Sequence, residues 1–480
     1  MKESIAKNLA YNIVYTLALY VLPLLTVPYI SRVLGAEQVG IYNYTYSIAQ
    51  YFVIFGTLGL DIYGNRQIAY SSRNPQKMHK DFWSIITIRL ITTSIALIVF
   101  WIMQCRNGKY YHLYLLQSIY IVSAMIDITW YFKGQEDFKT VVTRNLIIRI
   151  ISVALTFIFV KSKEDIDTYI VINAGTMLIG NMSLWPLLRG KIKFTKVQYG
   201  EVAAHFIPIM ALFIPQIAGQ IYCVLDKFML GIMSSMLQVG YYSQTQKIQR
   251  AILALVTTLG TVMLPRMSAI YASGDEKKLN EHLNQSLCGV ALVTIPISIG
   301  LATVSSDFVP LFLGDDFINA VPVMEVLSPV IIVIALSNVS GVQYLLPANR
   351  TKQYTISVFA GALTNVVLNS IFIPDYGAVG AAVATLIAEI VVLLVQMFCI
   401  RRAIVFNNLF VSGSKYLISS AIMATIVVLI KYCYLNINIW LRLILEVNIG
   451  ICTYAIMLFI LKDQLFITLT KYIKERIFRN

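Results

Sequence analysis

Gln244, Lys247 and Arg250 recur at three-residue intervals within a long apolar run. On a helix this spacing gathers the amide and both cations on one face. If the run crosses a bilayer, they lie near mid-depth, where a charge costs ~3 kcal/mol or more on insertion scales and needs a partner, water or a ligand. Two cations in a cavity of lowered dielectric bind a doubly charged phosphate group strongly, the arginine bidentately. Pairing with Glu325 or Glu389 to hold helices together is the structural alternative.

Other polar side chains interrupt apolar runs in the same way. Arg89 and Arg149 fall roughly 10 Å in from one end of their spans at 1.5 Å per residue, and Asp61 and Asp127 lie near that level. Ion pairing within this group and the lining of a hydrated vestibule both remain open. Arg32 closes the first apolar run, as an interfacial snorkel or a cavity residue. Asn8, Asn12, Thr16 and Tyr20 repeat every four residues and form one polar stripe, suited to helix–helix hydrogen bonds or to a wet cavity.

A second chemistry is cation binding. Asp226, Asn369 and Thr385 fall at matching depth in their spans, and Asn365 shares a helix face with Asn369 at i, i+4. Carboxylate, amide and hydroxyl oxygens at one level form a hard-oxygen nest for Na+. A local Asp226–Lys227 pair is the competing use. Glu389, in mid-span, offers H+ as the other coupling ion.

The elements that must position these residues are membrane helices. Of the 480 residues, 58% are apolar and only 13% charged, about half the charged share of a soluble domain. Fourteen apolar runs follow one another, each long enough to span ~30 Å of hydrocarbon. Lys and Arg of the two termini and alternate loops outnumber those of the other loops about three to one, which places both termini in the cytoplasm. The net charge of +14 is thus a topological signal, and no nucleic-acid footprint with stacking aromatics accompanies it. Residues 275–284 predict a short cytoplasmic helix. Residues 305–321 predict the longest external loop. In the tail, Leu465, Leu469, Ile473 and Ile477 among Lys and Arg predict an amphipathic helix on the bilayer surface. The six cysteines show neither metal spacing nor a paired framework.

The pentapeptide Gln38-Val39-Gly40-Ile41-Tyr42 returns as Gln238-Val239-Gly240-Tyr241-Tyr242, Thr57-Leu58-Gly59 as Thr258-Leu259-Gly260, and Arg66 as Arg266. An even number of spans separates the copies, which makes them parallel repeats. The expected architecture is all-α: a six-helix lobe over residues 1–200, a second over 201–410, and two extra helices with a basic tail over 411–480. Pro23 and Pro28 in helix one and Pro208 and Pro215 in helix seven mark candidate gating elements.

The string Pro23-Leu24-Leu25-Thr26-Val27-Pro28-Tyr29-Ile30-Ser31-Arg32-Val33-Leu34-Gly35, followed by Val39-Gly40-Ile41-Tyr42 and Tyr63-Gly64-Asn65-Arg66-Gln67-Ile68-Ala69, resembles bacterial polysaccharide flippases of the multidrug/oligosaccharidyl-lipid/polysaccharide exporter superfamily. Asp226-Lys227-Phe228-Met229-Leu230-Gly231 through Tyr242 resembles the same family's seventh-to-eighth helix junction. The resemblance covers essentially the whole chain and is weak for substrate.

It implies a plasma-membrane transporter, with no enzymatic activity and no cofactor beyond a coupling cation. The substrate class would be undecaprenyl-diphosphate-linked repeat units of O-antigen, capsule or exopolysaccharide, flipped by alternating access. A polymerase and other polysaccharide-assembly proteins are the implied partners. Lipid II flippases of that superfamily have a sodium site built on a helix-seven carboxylate, an i, i+4 pair and a threonine sixteen residues beyond. Asn369 and Thr385 keep that spacing, with an amide where a second carboxylate is expected. The rivals are a cation-coupled multidrug exporter, with an acidic cavity, and a membrane glycan polymerase or ligase, with a large catalytic external loop.

Overall fold

A computed structural model describes residues 2–104, 108–433 and 437–477, and the side chains of these except 2–23, 214–223, 258–266, 469 and 472–477. The described chain is helical throughout. In order, α1 is Lys2–Thr57, α2 Leu60–Ser71, α3 Pro75–Gln104, α4 Tyr111–Met125, α5 Thr129–Gly134, α6 Phe138–Phe159, α7 Ile166–Met182, α8 Tyr199–Met233 and α9 Met236–Ala272. Then follow α10 Glu276–Leu313, α11 Val321–Asn338, α12 Thr351–Cys399, α13 Phe406–Cys433, α14 Ile439–Ile460 and α15 Gln464–Ile477. Among the described residues, nine segments are long and apolar enough to cross a bilayer. The chain is a multi-pass membrane protein.

Glycine sets the sharpest breaks. Gly35 divides α1 at φ 75° and Gly377 divides α12 at φ 52°, left-handed conformations that cost a residue with a Cβ roughly 1–2 kcal/mol. Each long helix is therefore two helical segments that meet at one glycine. Leu58 and Gly59, also left-handed, set α2 apart from α1. Polar caps start other helices. Asp137 accepts from the Thr140 N–H at 3.2 Å, Asp275 from the Lys278 N–H at 3.0 Å, and Gln198 with Glu201 forms a capping box at α8.

Two expectations fail. Residues 275–284 are no separate helix, because the Asp275 cap opens the 38-residue α10 directly. Residues 305–321 are no loop either: α10 continues to Leu313, and Gly314 passes the chain into a 3-10 turn, Asp315–Ala320. The absence of Lys and Arg there reflects helix, not an open connection. The tail helix occupies Gln464–Ile477 as expected.

The chain divides into two compact units, Met1–Ser243 and Gln244–Asn480. In the first, the aromatic core of Trp130, Tyr131, Phe132 and Phe82 gathers α2, α3 and α5. Gly64 lies flat on the Trp130 ring, where an added Cβ would come within 2.6 Å of it. In the second, α10, α13 and α14 share a core of Leu292, Ile295, Tyr416 and Leu458. Pro296 inside α10 has no N–H for the Leu292 carbonyl, and the Tyr454 hydroxyl of α14 donates to that carbonyl at 2.7 Å.

Candidate functional site

The first unit holds a polar and aromatic face built by α1, α4, α6 and α7. On α6, Asn145, Arg149, Ser152 and Thr156 follow helical spacing and make one stripe. Arg149 is partly buried, and its Nε is enclosed without a hydrogen-bond partner. It acts electrostatically on Tyr46, Tyr120 and Tyr169. These rings form a continuous cluster with Tyr42: Tyr42 and Tyr169 have centroids 4.7 Å apart, Tyr46 and Tyr120 4.9 Å. The hydroxyls of Tyr42 and Tyr120 share a hydrogen bond of 3.2 Å. Beside it, Arg144 donates to Asn181 Oδ1 at 3.2 Å, and Gln117 donates to Thr45 at 3.1 Å. An arginine facing phenolic hydroxyls can hold an anion and stack or hydrogen-bond a polyhydroxylated group. The tyrosines were legible as an i, i+4 pair, Tyr42 and Tyr46, in an apolar run, but periodicity alone did not separate them from packing.

Arg89 is different. It is 1% exposed, and donates from Nη1 to Asp61 Oδ1 at 2.8 Å and from Nε to the Ala124 carbonyl at 2.7 Å. Asp127, also within its electrostatic reach, accepts from the Thr129 N–H at 2.8 Å and so starts α5. Arg89, Asp61 and Asp127 therefore tie α2, α3 and the α4–α5 junction together. The Tyr63-to-Ala69 string is similarly engaged: Tyr63 Oη meets His205 Nδ1 at 2.5 Å, and Gln67 donates to Asp81 at 3.0 Å. His205 and Asp81, 3.7 Å apart, carry this network between α8 and α3 and were not singled out from the sequence. Arg32 is exposed, three residues before the Gly35 break. The Asn8, Asn12 and Thr16 side chains lie outside the described residues, as do those of Pro23, Pro215, Leu259 and Arg266.

Asp226 belongs to the first unit. It is 3% exposed and accepts from the Tyr242 hydroxyl at 2.5 Å, with Tyr51 within electrostatic reach. Tyr242 is the last residue of the second pentapeptide, so the repeat supplies the donor.

In the second unit, Gln244 is fully buried, while Lys247 and Arg250 are partly exposed on the same helix. Gln246 and Gln249 are buried next to them, which makes this turn of α9 polar around most of its circumference. Asn365 and Asn369 are buried and joined, Asn369 Nδ2 donating to Asn365 Oδ1 at 3.0 Å. Thr385 lies beyond the Gly377 break on the second half of α12, and its hydroxyl donates to the Ala381 carbonyl at 2.9 Å. Glu389 is partly buried and acts on Tyr354. Glu325 accepts from Ser305 at 3.3 Å. The two halves of α12 approach closely, since an added Cβ at Gly361 would strike Val392.

This architecture of broken, glycine-hinged membrane helices with polar interior faces has known counterparts. The family profile "Polysaccharide biosynthesis protein" matches residues 5–271, and the profile "Lipid II flippase MurJ" matches residues 146–446. The chain belongs to the polysaccharide biosynthesis protein family, within the exporter superfamily that also includes MurJ. Among curated relatives, it is 26% identical to the "Putative O-antigen transporter" of Escherichia coli over 84% of this chain and 98% of that protein. Its fold is similar to lipid II flippase MurJ in an inward closed conformation, with TM-score 0.74 and 19% identity over 92% of this chain and 97% of MurJ. An inward-facing multidrug resistance MATE transporter aligns with TM-score 0.60 and 13% identity, over 82% of this chain and 95% of its own.

Proposed function

We propose that this protein flips lipid-linked oligosaccharide repeat units from the inner to the outer leaflet of the bacterial plasma membrane. The observation that carries the reading is Arg149, a partly buried cation whose enclosed Nε has no protein acceptor, within electrostatic reach of a tyrosine cluster. An anionic, sugar-bearing headgroup supplies the acceptors and hydroxyls that such a face lacks, and the cavity removes the cost of carrying it through hydrocarbon. The relatives' names and the family support the same substrate class. In this reading the lipid is undecaprenyl diphosphate. Within the first unit Arg149 and Arg32 are the candidates for holding the diphosphate, and within the second Lys247 and Arg250, with Gln244 beside them on the same helix; Asn8, Asn12 and Thr16 are candidates from the sequence stripe alone. Two lobes, 1–200 and 201–410, alternate access to it, and helices of 411–480 accompany the prenyl tail. Asp226, Asn365, Asn369, Thr385 and Glu389 are the candidates for coupling to Na+ or H+.

The cationic character of these positions favours this reading over a drug exporter, which needs an acidic cavity for cationic cargo. The test is the double substitution Lys247→Gln, Arg250→Gln in a strain dependent on this protein for surface glycan. Accumulation of undecaprenyl-linked glycan with normal protein levels is the expected outcome. Undiminished export would remove the phosphate role of these two residues.

A further inference from the structure

Four ionisable side chains meet in the second unit, none of them among the residues assigned above to substrate. They are Asp307 on α10, Lys431 on α13, and Arg442 and Glu446 on α14. Arg442 Nη2 lies 2.9 Å from Asp307 Oδ1, and Lys431 Nζ lies 3.6 Å from the same oxygen. Lys431 also donates to Ser306. Both cations thus converge on one acid. Glu446, one turn from Arg442, has only a 3.9 Å approach from Arg442 Nε. It is 1% exposed, and neither of its carboxyl oxygens has a hydrogen-bond partner. Asp307 Oδ2 is buried and equally without a donor. The Glu446 carboxyl lies within electrostatic reach of Asp307, and both approach Arg442.

Three orphaned acid oxygens around one point are a specific deficit. An ionised Glu446 would be a buried charge with no donor on either oxygen, beside a second carboxylate, roughly 10 Å into α14 at 1.5 Å per residue. A metal cation would have to enter against the two positive charges already on Asp307. A proton meets the deficit without that repulsion: on Glu446 it neutralises the unpaired charge and gives Asp307 Oδ2 the O–H it lacks. Among the described residues, the charged groups acting on Glu446 are Asp307 from α10, Lys431 from α13 and Arg442 on its own helix.

We propose that Asp307 and Glu446 form a proton-binding site that holds one proton between α10 and α14, with Lys431 and Arg442 as its fixed counter-charges. The Lys431 side chain, 27% exposed, is the most accessible of the four. The site deepens the cation-coupling part of the proposed function, on which its role in transport rests, by naming H+ and its carrier. The binding itself rests on the geometry alone. Loss of the proton leaves a bare carboxylate beside Arg442, which must then serve two acids, so seating of α14 on α10 follows the occupancy of the site.

The test is infrared difference spectroscopy of the full-length protein in lipid nanodiscs across a pH titration. A protonated-carboxyl stretching band is expected that disappears at high pH, shifts on carbon-13 labelling of glutamate, is lost in Glu446→Gln and moves in Asp307→Asn. A wild-type spectrum with no titrating carboxyl band overturns the proposal. So does a band of unchanged intensity in Glu446→Gln, or one that ignores the glutamate label. The labelled wild type decides the matter even if a variant does not fold. The spectrum requires no substrate, so a failure here is separate from a failure of the flippase reading.

Discussion

Gly40 and Gly240, the same position in the two copies of the repeated pentapeptide, pack reciprocally. A Cβ at Gly40 would collide with the carbonyl of Met236, and a Cβ at Gly240 with the carbonyl of Ala36. Ala36 and Met236 are themselves equivalent positions of the repeat, so residue and partner exchange roles as they do across a two-fold axis. The repeat is therefore a packing device: the second copy is shaped to the first. Gly40→Ala and Gly240→Ala should each lower stability by about 1–3 kcal/mol through overpacking against backbone. Thermal unfolding in detergent checks this, and a wild-type melting temperature in both variants would refute it.

The Arg89–Asp61 pair is asymmetric, since the arginine side chain is 1% exposed and the aspartate 52%. Removing the Asp61 charge leaves Arg89 its Ala124 carbonyl and the Asp127 carboxylate within electrostatic reach. Removing Arg89 leaves a polar hole in the core of α3. Arg89→Ala should cost about 3–5 kcal/mol, as for breaking a buried pair, and Asp61→Asn about 1 kcal/mol or less after screening. Equal losses of stability in the two variants would contradict the structural role given to Arg89.

Charge and geometry separate at Arg149. Glutamine should slow flipping about ten- to a hundredfold while leaving expression intact, since a charge-assisted hydrogen bond is worth about 1.5–3 kcal/mol. Lysine keeps the charge but loses the fork, and should retain part of the activity. Full transport by Arg149→Gln in reconstituted vesicles would dissociate the tyrosine face from substrate.

At the start of α8, the Lys80 ammonium at 2.6 Å and the Gln198 N–H hold the Glu201 carboxyl below its ordinary range. A carboxylate lowered in the folded state contributes stability above its unfolded value and loses it as pH falls through the lowered one. The α8 N-terminus should be insensitive to pH near neutrality and fray in acid. Hydrogen exchange at residues 198–202 reads this, and Glu201→Gln should remove the acid dependence. Fraying that begins above the glutamate range would point to another group.

The all-helical, multi-pass architecture was legible because the length of an apolar run is dictated by the bilayer, a simple solvent. The breaks at Gly35 and Gly377 could be anticipated from the gaps between apolar runs, although not the left-handed conformation that makes them. The continuous α10 was missed because its charged first turns look like a surface helix and its last turns, lacking Lys and Arg, look like a loop. Arg89 and Arg149 are alike in sequence and differ in partners, which only packing decides. Arg442 and Lys431 were not singled out from the sequence, because only packing brings them to Asp307 and Glu446.

The hydroxyl of Tyr454 on the Leu292 carbonyl has a last consequence. Pro296 opens a gap in the ladder of α10, and in hydrocarbon that gap would be costly if left uncovered. The cover comes from the penultimate helix. The proline of α10 and the tyrosine of α14 are thus one inheritance: a shortened protein that keeps Pro296 but loses α14 would leave the Leu292 carbonyl without its donor.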